Sequence, residues 1–174
     1  IVYMNDDMYV CPQWDKVLVE EIKKLNDTMF FFSSTMIEPY DTKNNCVLVQ
    51  NYGTDLACFN EQKLLQEHHT LQKENWKGAT WPPNVVHRDV WDLVGGYSIE
   101  FSPGWYSDND FAMKLWHAGV RLFVGLGESK VYHFGSKSTK RLAQIDKARK
   151  LFKKKWEVKS SEFMKKYLQR GELL

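Results

Sequence analysis

The sequence predicts an α/β fold: a mixed, largely parallel sheet flanked by helices. Three observations predict it. Apolar, β-leaning runs end in polar clusters, first residues 1–4 entering Asn5, Asp6 and Asp7, then residues 29–36 entering a polar loop. Segments of helical period separate such runs; Val17, Leu18, Ile22 and Leu25 mark one face of residues 14–25, and Phe111, Leu115 and Trp116 one face of residues 108–117. Finally, 174 residues with 43% apolar and 26% charged content suit one soluble domain with a sizeable core.

Taken in order, residues 1–4 read as a buried strand with carboxylates at its carboxyl end, where ligands sit in open α/β sheets. Pro12 stands where the helix over 14–25 can begin. Residues 29–36 form a second buried strand, 38–45 a loop and 46–50 a short strand. Residues 61–73 are helical and polar. Residues 77–84, with Gly78, Trp81, Pro82 and Pro83, form an ordered loop. Val85 and Val86 lead to a short helix over 88–94, stopped by Gly95 and Gly96. The helix over 108–117 closes at Gly119, and strands follow over 120–124 and 129–133. Residues 138–168 are helix-rich and basic, with Leu142, Ile145, Phe152, Trp156, Phe163 and Tyr167 as docking residues.

A formal charge of +2 gives no strong pull toward nucleic acid or membrane, although basic residues crowd the region 137–170. No apolar run is long enough to span a bilayer and no signal peptide is visible. Cys11, Cys46 and Cys58 are odd in number and lack CxxC spacing, which argues against a disulfide framework and suits a reducing compartment. The expected location is cytoplasmic, at most peripheral at the membrane. The chain opens on Ile1 inside a strand, so it reads as a piece of a longer protein.

Three polar features carry the candidate chemistry: Asp6 and Asp7 after the first strand, Asp108 and Asp110 at the start of a helix, and His133 after a late strand. Adjacent carboxylates at a sheet edge are costly unless neutralised, and a divalent cation does that; a solvated surface turn is the plainer reading. Asp108 and Asp110 are equally suited to capping the helix they open. Lys137, Lys140 and Arg141 read as a solvated basic face or as charge for a leaving group. Trp81, Trp105 and Tyr106 suit core packing or stacking on a sugar, while Met113 and Trp116 suit the core.

In order, Asn5-Asp6-Asp7, Pro12-Gln13-Trp14, His87-Arg88, Gly95-Gly96-Tyr97, Ser107-Asp108-Asn109-Asp110, Gly119 and Val131-Tyr132-His133 resemble the family-two glycosyltransferases of the GT-A fold. The resemblance covers residues 1–138 and implies the metal- and acceptor-binding part of a partial GT-A domain, with residues 139–174 as a basic helical segment packed on it. It implies that Asp7 and His133 hold Mn²⁺ or Mg²⁺. It implies that Asn5, Asp6, Lys137, Lys140 and Arg141 bind the nucleotide-diphosphate-sugar donor, the last three on a segment (136–141) that closes over the diphosphate. Asp108 matches the catalytic base of inverting members. Trp81, Trp105, Tyr106 and Asp110 are the expected acceptor side, Asp110 with a more structural part. Ser107 stands where the family has an acid, and nothing matches the family's base-binding turn, which would precede Ile1.

The implied function is metal-assisted, inverting transfer of a sugar to a hydroxyl of a saccharide, lipid-linked or protein acceptor. Two other readings stay open: a non-catalytic fragment or binding domain of the same descent, and a metal-dependent phosphohydrolase or nucleotidyltransferase using Asp6 and Asp7. An unpaired first strand would favour a homo-oligomer.

Overall fold

A computed structural model describes residues 1–102, 104–135 and 142–174. Among these residues, one sheet places β1 (Val2–Tyr3), β6 (Asn84–Val86), β3 (Phe30–Glu38), β7 (Leu122–His133) and β2 (Met8–Val10) side by side in that order. β4 (Leu48–Val49) adds to the end of β3, and β5 (Trp76–Lys77) to the first half of β7.

The fold is α/β and the sheet is mixed, but it is not largely parallel. β3 runs parallel to β7 and to β4, whereas β1–β6, β6–β3, β2–β7 and β5–β7 are antiparallel. An apolar run covered on both faces carries no mark of its neighbour's direction, so the sequence pattern is the same either way. The first strand is also not buried. β1 lies at the sheet edge with β6 as its one neighbour, and residues 1–4 are 38–49% exposed. A short apolar run fits an edge as well as a centre, and the longer β3 and β7 take the centre.

The core follows from strand periodicity. Side chains alternate across β3, so Phe30 and Phe32 face one way and Phe31 the other. Phe30 and Phe32 meet Leu18 of α1 (Trp14–Lys23), together with Val85, Val124 and Leu126. Phe31 joins the larger cluster with Val90 of α3 (Arg88–Val94), Phe111 and Leu115 of α4 (Ser107–His117), and Phe152 of α5 (Leu142–Trp156). Gly95, at φ +71, closes α3 in the left-handed conformation that glycine adopts without penalty. A third cluster, with Cys11, Ile37, Tyr52 and Tyr132, holds Leu64 of α2 (Glu61–Glu67).

The two strands expected over 120–124 and 129–133 are one strand, β7. Its pairing with β3 jumps from Ser34–Leu126 to Thr35–Lys130, and that bulge is the break the sequence shows. Beyond α5 come a short turn of helix (Ser160–Glu162) and a wide turn (Phe163–Tyr167), and the chain then pairs Leu173 with Trp76. Phe152 and Phe163 dock in the core, whereas Tyr167 stays half exposed. No helix among the described residues is long and apolar enough to cross a membrane.

One packing contact sets a clear stability expectation. A Cβ at Gly125 would stand 1.9 Å from Cε2 of Trp76, a ring that is buried, packed at a tilt against Trp81 and bonded through Nε1 to Thr35 Oγ1. Gly125→Ala is therefore expected to lower stability by at least about 1–3 kcal/mol, the range for overpacking, in urea denaturation. A variant with the wild-type midpoint would show that Trp76 repacks freely.

Candidate functional site

Strand register brings the first set of groups together. β2 and β7 pair Met8 with His133, so Asp7 lies beside the end of β7; the Phe134 N–H donates to the Asp7 carbonyl at 3.2 Å. His133 Nε2 stands 3.3 Å from Asp7 Oδ2. Its other nitrogen, Nδ1, is 2.8 Å from Glu38 Oε1 at the end of β3. The imidazole is thus gripped between two carboxylates and largely buried. Burial pulls its pKa down, but the Glu38 hydrogen bond and the charges of Asp7 and Glu38 outweigh that, and the net direction is up. The stabilisation this gives is complete below the ordinary histidine value and is lost as pH rises through the raised one.

Asp7 and His133 offer one carboxylate oxygen and one imidazole nitrogen, a pair that forms an ion pair here and has the spacing of two ligands to one divalent ion. Two ligands at about 2.1 Å from one ion, set at right angles or tetrahedrally, lie about 3.0–3.4 Å apart, which matches the separation of Asp7 Oδ2 and His133 Nε2. Glu38 on the far nitrogen is the partner that orients a ligating imidazole. Among the described residues no three His, Cys, Asp or Glu side chains converge as a ready-made cage. An ion here would draw its other ligands from water and phosphate, as Mg²⁺ commonly does.

The second set is built on α4. Its capping residue Tyr106 has φ +67, a left-handed conformation uncommon outside glycine, and the helix then opens with Asp108 in its first turn. Burial pushes the Asp108 carboxyl up to about 7, against the opposing effects of a hydrogen bond with Tyr97 and the charge of Arg170. The Tyr97 hydroxyl accepts from Asn84 Nδ2 at 2.9 Å, so a polar chain runs from β6 through Tyr97 to Asp108.

Two cavities meet at this carboxylate. The smaller, about 370 Å³, is lined by Asn5, Asp6, Asp7, His133 and Asp108. The larger, about 730 Å³, is lined by Tyr106 and by residues of α5 and the C-terminal turns. Trp81, Gly104, Trp105 and Asp108 line both. The structure therefore brings together Asn5, Asp6, Asp7, Asp108, His133, Trp81, Trp105 and Tyr106.

Asp110 is a correction. It lines neither cavity and is fully buried; Oδ2 accepts from Ser98 Oγ at 2.6 Å, Oδ1 accepts from Trp156 Nε1 at 2.7 Å, and Lys155 Nζ is 2.9 Å away. Two positions along a helix is a turn of about 200°, so Asp108 and Asp110 must face opposite ways. With its oxygens engaged inside the protein, Asp110 has none left for an acceptor. Lys137, Lys140 and Arg141 lie outside the described residues.

Sequence reasoning missed Glu38, although an acid at a strand's carboxyl end is the same signal that marked Asp6 and Asp7. It also missed the cations that line the larger cavity, since no local spacing reports a convergence of α5 with the chain end. Compared with known proteins, the chain matches no protein-family model, no curated protein and no solved structure.

Proposed function

We propose that this chain carries the catalytic centre of a metal-assisted, inverting glycosyltransferase of GT-A type. The observation that carries the reading is the position of Asp108, a partly buried carboxylate, where a cavity holding the Asp7–His133 pair meets a second, aromatic-walled cavity. In this reading the nucleotide-diphosphate-sugar occupies the smaller cavity and the acceptor the larger.

Asp7 and His133 would hold Mn²⁺ or Mg²⁺, with Glu38 fixing the imidazole. When bound, the ion supplies positive charge to the departing diphosphate. Asn5 and Asp6 line the donor side. Asp108 accepts the proton of the acceptor hydroxyl as that oxygen bonds to the anomeric carbon and the bond to the diphosphate breaks. Burial raises its pKa above the ordinary carboxylate value, the direction that suits a general base working at neutral pH. Trp105, at the boundary, offers a ring face to a sugar, whereas Trp81, packed between Trp76 and Arg170, forms the wall behind it.

The direct test is calorimetric titration with Mn²⁺, alone and with UDP- and GDP-hexoses. Glu38→Gln is expected to weaken Mn²⁺ by about 10–100-fold, the usual loss when a ligand's hydrogen-bond partner goes. Asp7→Ala should weaken it further. Because the metal displaces a proton from His133, apparent affinity should climb as pH rises through that group's raised pKa. Unchanged Mn²⁺ binding by Asp7→Ala would remove the metal site, and with it the transferase reading.

A further inference from the structure

We propose that the larger cavity is a binding site for a phosphorylated saccharide, its phosphate held between α5 and the C-terminal turns. Only the role of that ligand, as acceptor, rests on the transferase reading.

The α5 positions Ile145, Arg149 and Lys153 recur every fourth residue and so share one helix face, and that face lines the cavity. Lys150 lines it from the same helix, and Lys159 and Arg170 from the chain beyond. Among the described residues, five cations therefore meet one lining carboxylate, Asp108. Lys150, Lys153 and Lys159 form no ion pair with any described residue, and Arg149 pairs with Asp146 at 3.0 Å.

Arg170 is the sharper observation. Its guanidinium is half-buried, lies 4.0 Å over the Trp81 ring, and finds Met164 Sδ at 2.8 Å and the Cys46 thiol as neighbours, but no carboxylate within ion-pair distance among the described residues. A cation drawn partly out of water, with only the more distant charge of Asp108 set against it, is costly, and a bound anion offsets that cost. Trp81 and Ser160, each more than nine-tenths buried, line the same walls, and Trp81 Nε1 and Ser160 Oγ have no hydrogen-bond partner among the described residues.

The chemistry selects phosphate on a sugar. Guanidinium forks match phosphate oxygens, and a dianion satisfies more than one cation. A cavity of about 730 Å³ is of ordinary ligand size. Trp81, Trp105 and Tyr106 give it aromatic walls on the side toward Asp108, where a hydroxyl and not a charge must sit.

The test follows tryptophan fluorescence at fixed salt while glucose 6-phosphate, glucose or inorganic phosphate is added. Glucose 6-phosphate is expected to bind at least tenfold more tightly than glucose. Lys150→Gln/Lys153→Gln, two exposed positions whose loss leaves the core untouched, should weaken it at least tenfold. Equal binding of the two sugars, wild-type affinity in the double variant, or displacement by UDP with Mn²⁺ each overturns the proposal. A geranyl-diphosphate glucose arm separates the sources: tighter binding than glucose 6-phosphate assigns the phosphate to a lipid-linked sugar, weaker binding to a free one, and both keep the site. If glucose 6-phosphate binds while no nucleotide-sugar does, the site stands and the transferase reading fails. If the nucleotide-sugar binds through Asp7 and glucose 6-phosphate does not, only this inference fails.

Discussion

Asp108→Asn is expected to reduce sugar transfer by at least about 10²–10⁴-fold, the contribution of a positioned general base, while donor binding with Mn²⁺ stays near wild type. A base acts on the acceptor proton in the transition state, and the ground-state donor does not need it. Asp7→Ala should lose donor binding and transfer together. Equal loss of donor binding in both variants would make Asp108 a helix cap. A second readout comes from stability. The folded pKa of Asp108 lies above its unfolded value near 3.8, so between pH 4 and about 7 the folded state binds the extra proton. Stability from this group therefore falls as pH rises through that window. Asparagine abolishes the penalty, so the variant should be the more stable protein at pH 8, by a few kcal/mol and at most about 4, with that advantage gone near pH 4. Thermal melts at the two pH values measure it.

Asp110→Ala is expected to cost about 3–5 kcal/mol, the usual loss on breaking a buried charge pair from one side. Ser98, Trp156 and Lys155 would all lose their acceptor at once, although Lys155 retains Glu100 at 2.6 Å. For a chain this size each kcal/mol lowers Tm by about 2–4 °C. A variant that melts normally but binds acceptor poorly would return Asp110 to the acceptor side.

The helices were legible because their signals are local. The faces of α1 and α4 stand in the spacing of Leu18, Ile22, Phe111 and Leu115, and the stop of α3 stands in Gly95. The order and direction of strands were not, since they depend on which distant partners win: residues 1–4 read as a buried strand and took an exposed edge. The site was half legible. Asp7 and His133 are 126 positions apart, yet each sits at the end of an apolar run, and that shared signature marked both. Asp108 and Asp110 carry identical local signals, and it is helix rotation against α5 that sends one to the cavities and the other into the interior. The basic cavity left no sequence trace beyond a surplus of lysine, because its walls come from elements that meet only in the fold.

The link between Asp110 and Trp156 has a practical meaning for anyone assaying this protein. It ties the helix that presents Asp108 to α5, so the aim of one carboxylate is set by a contact on the helix's far side. A misplacement of about 1 Å at a reacting group can cost about 10²-fold in rate, far more than so small a shift costs in folding free energy. Under the proposed function, turnover is then a finer gauge of the interior than any melting curve. Substitutions along α5 that leave the protein folded and soluble can still silence it, and they would be misread as catalytic residues by a screen that scores activity alone.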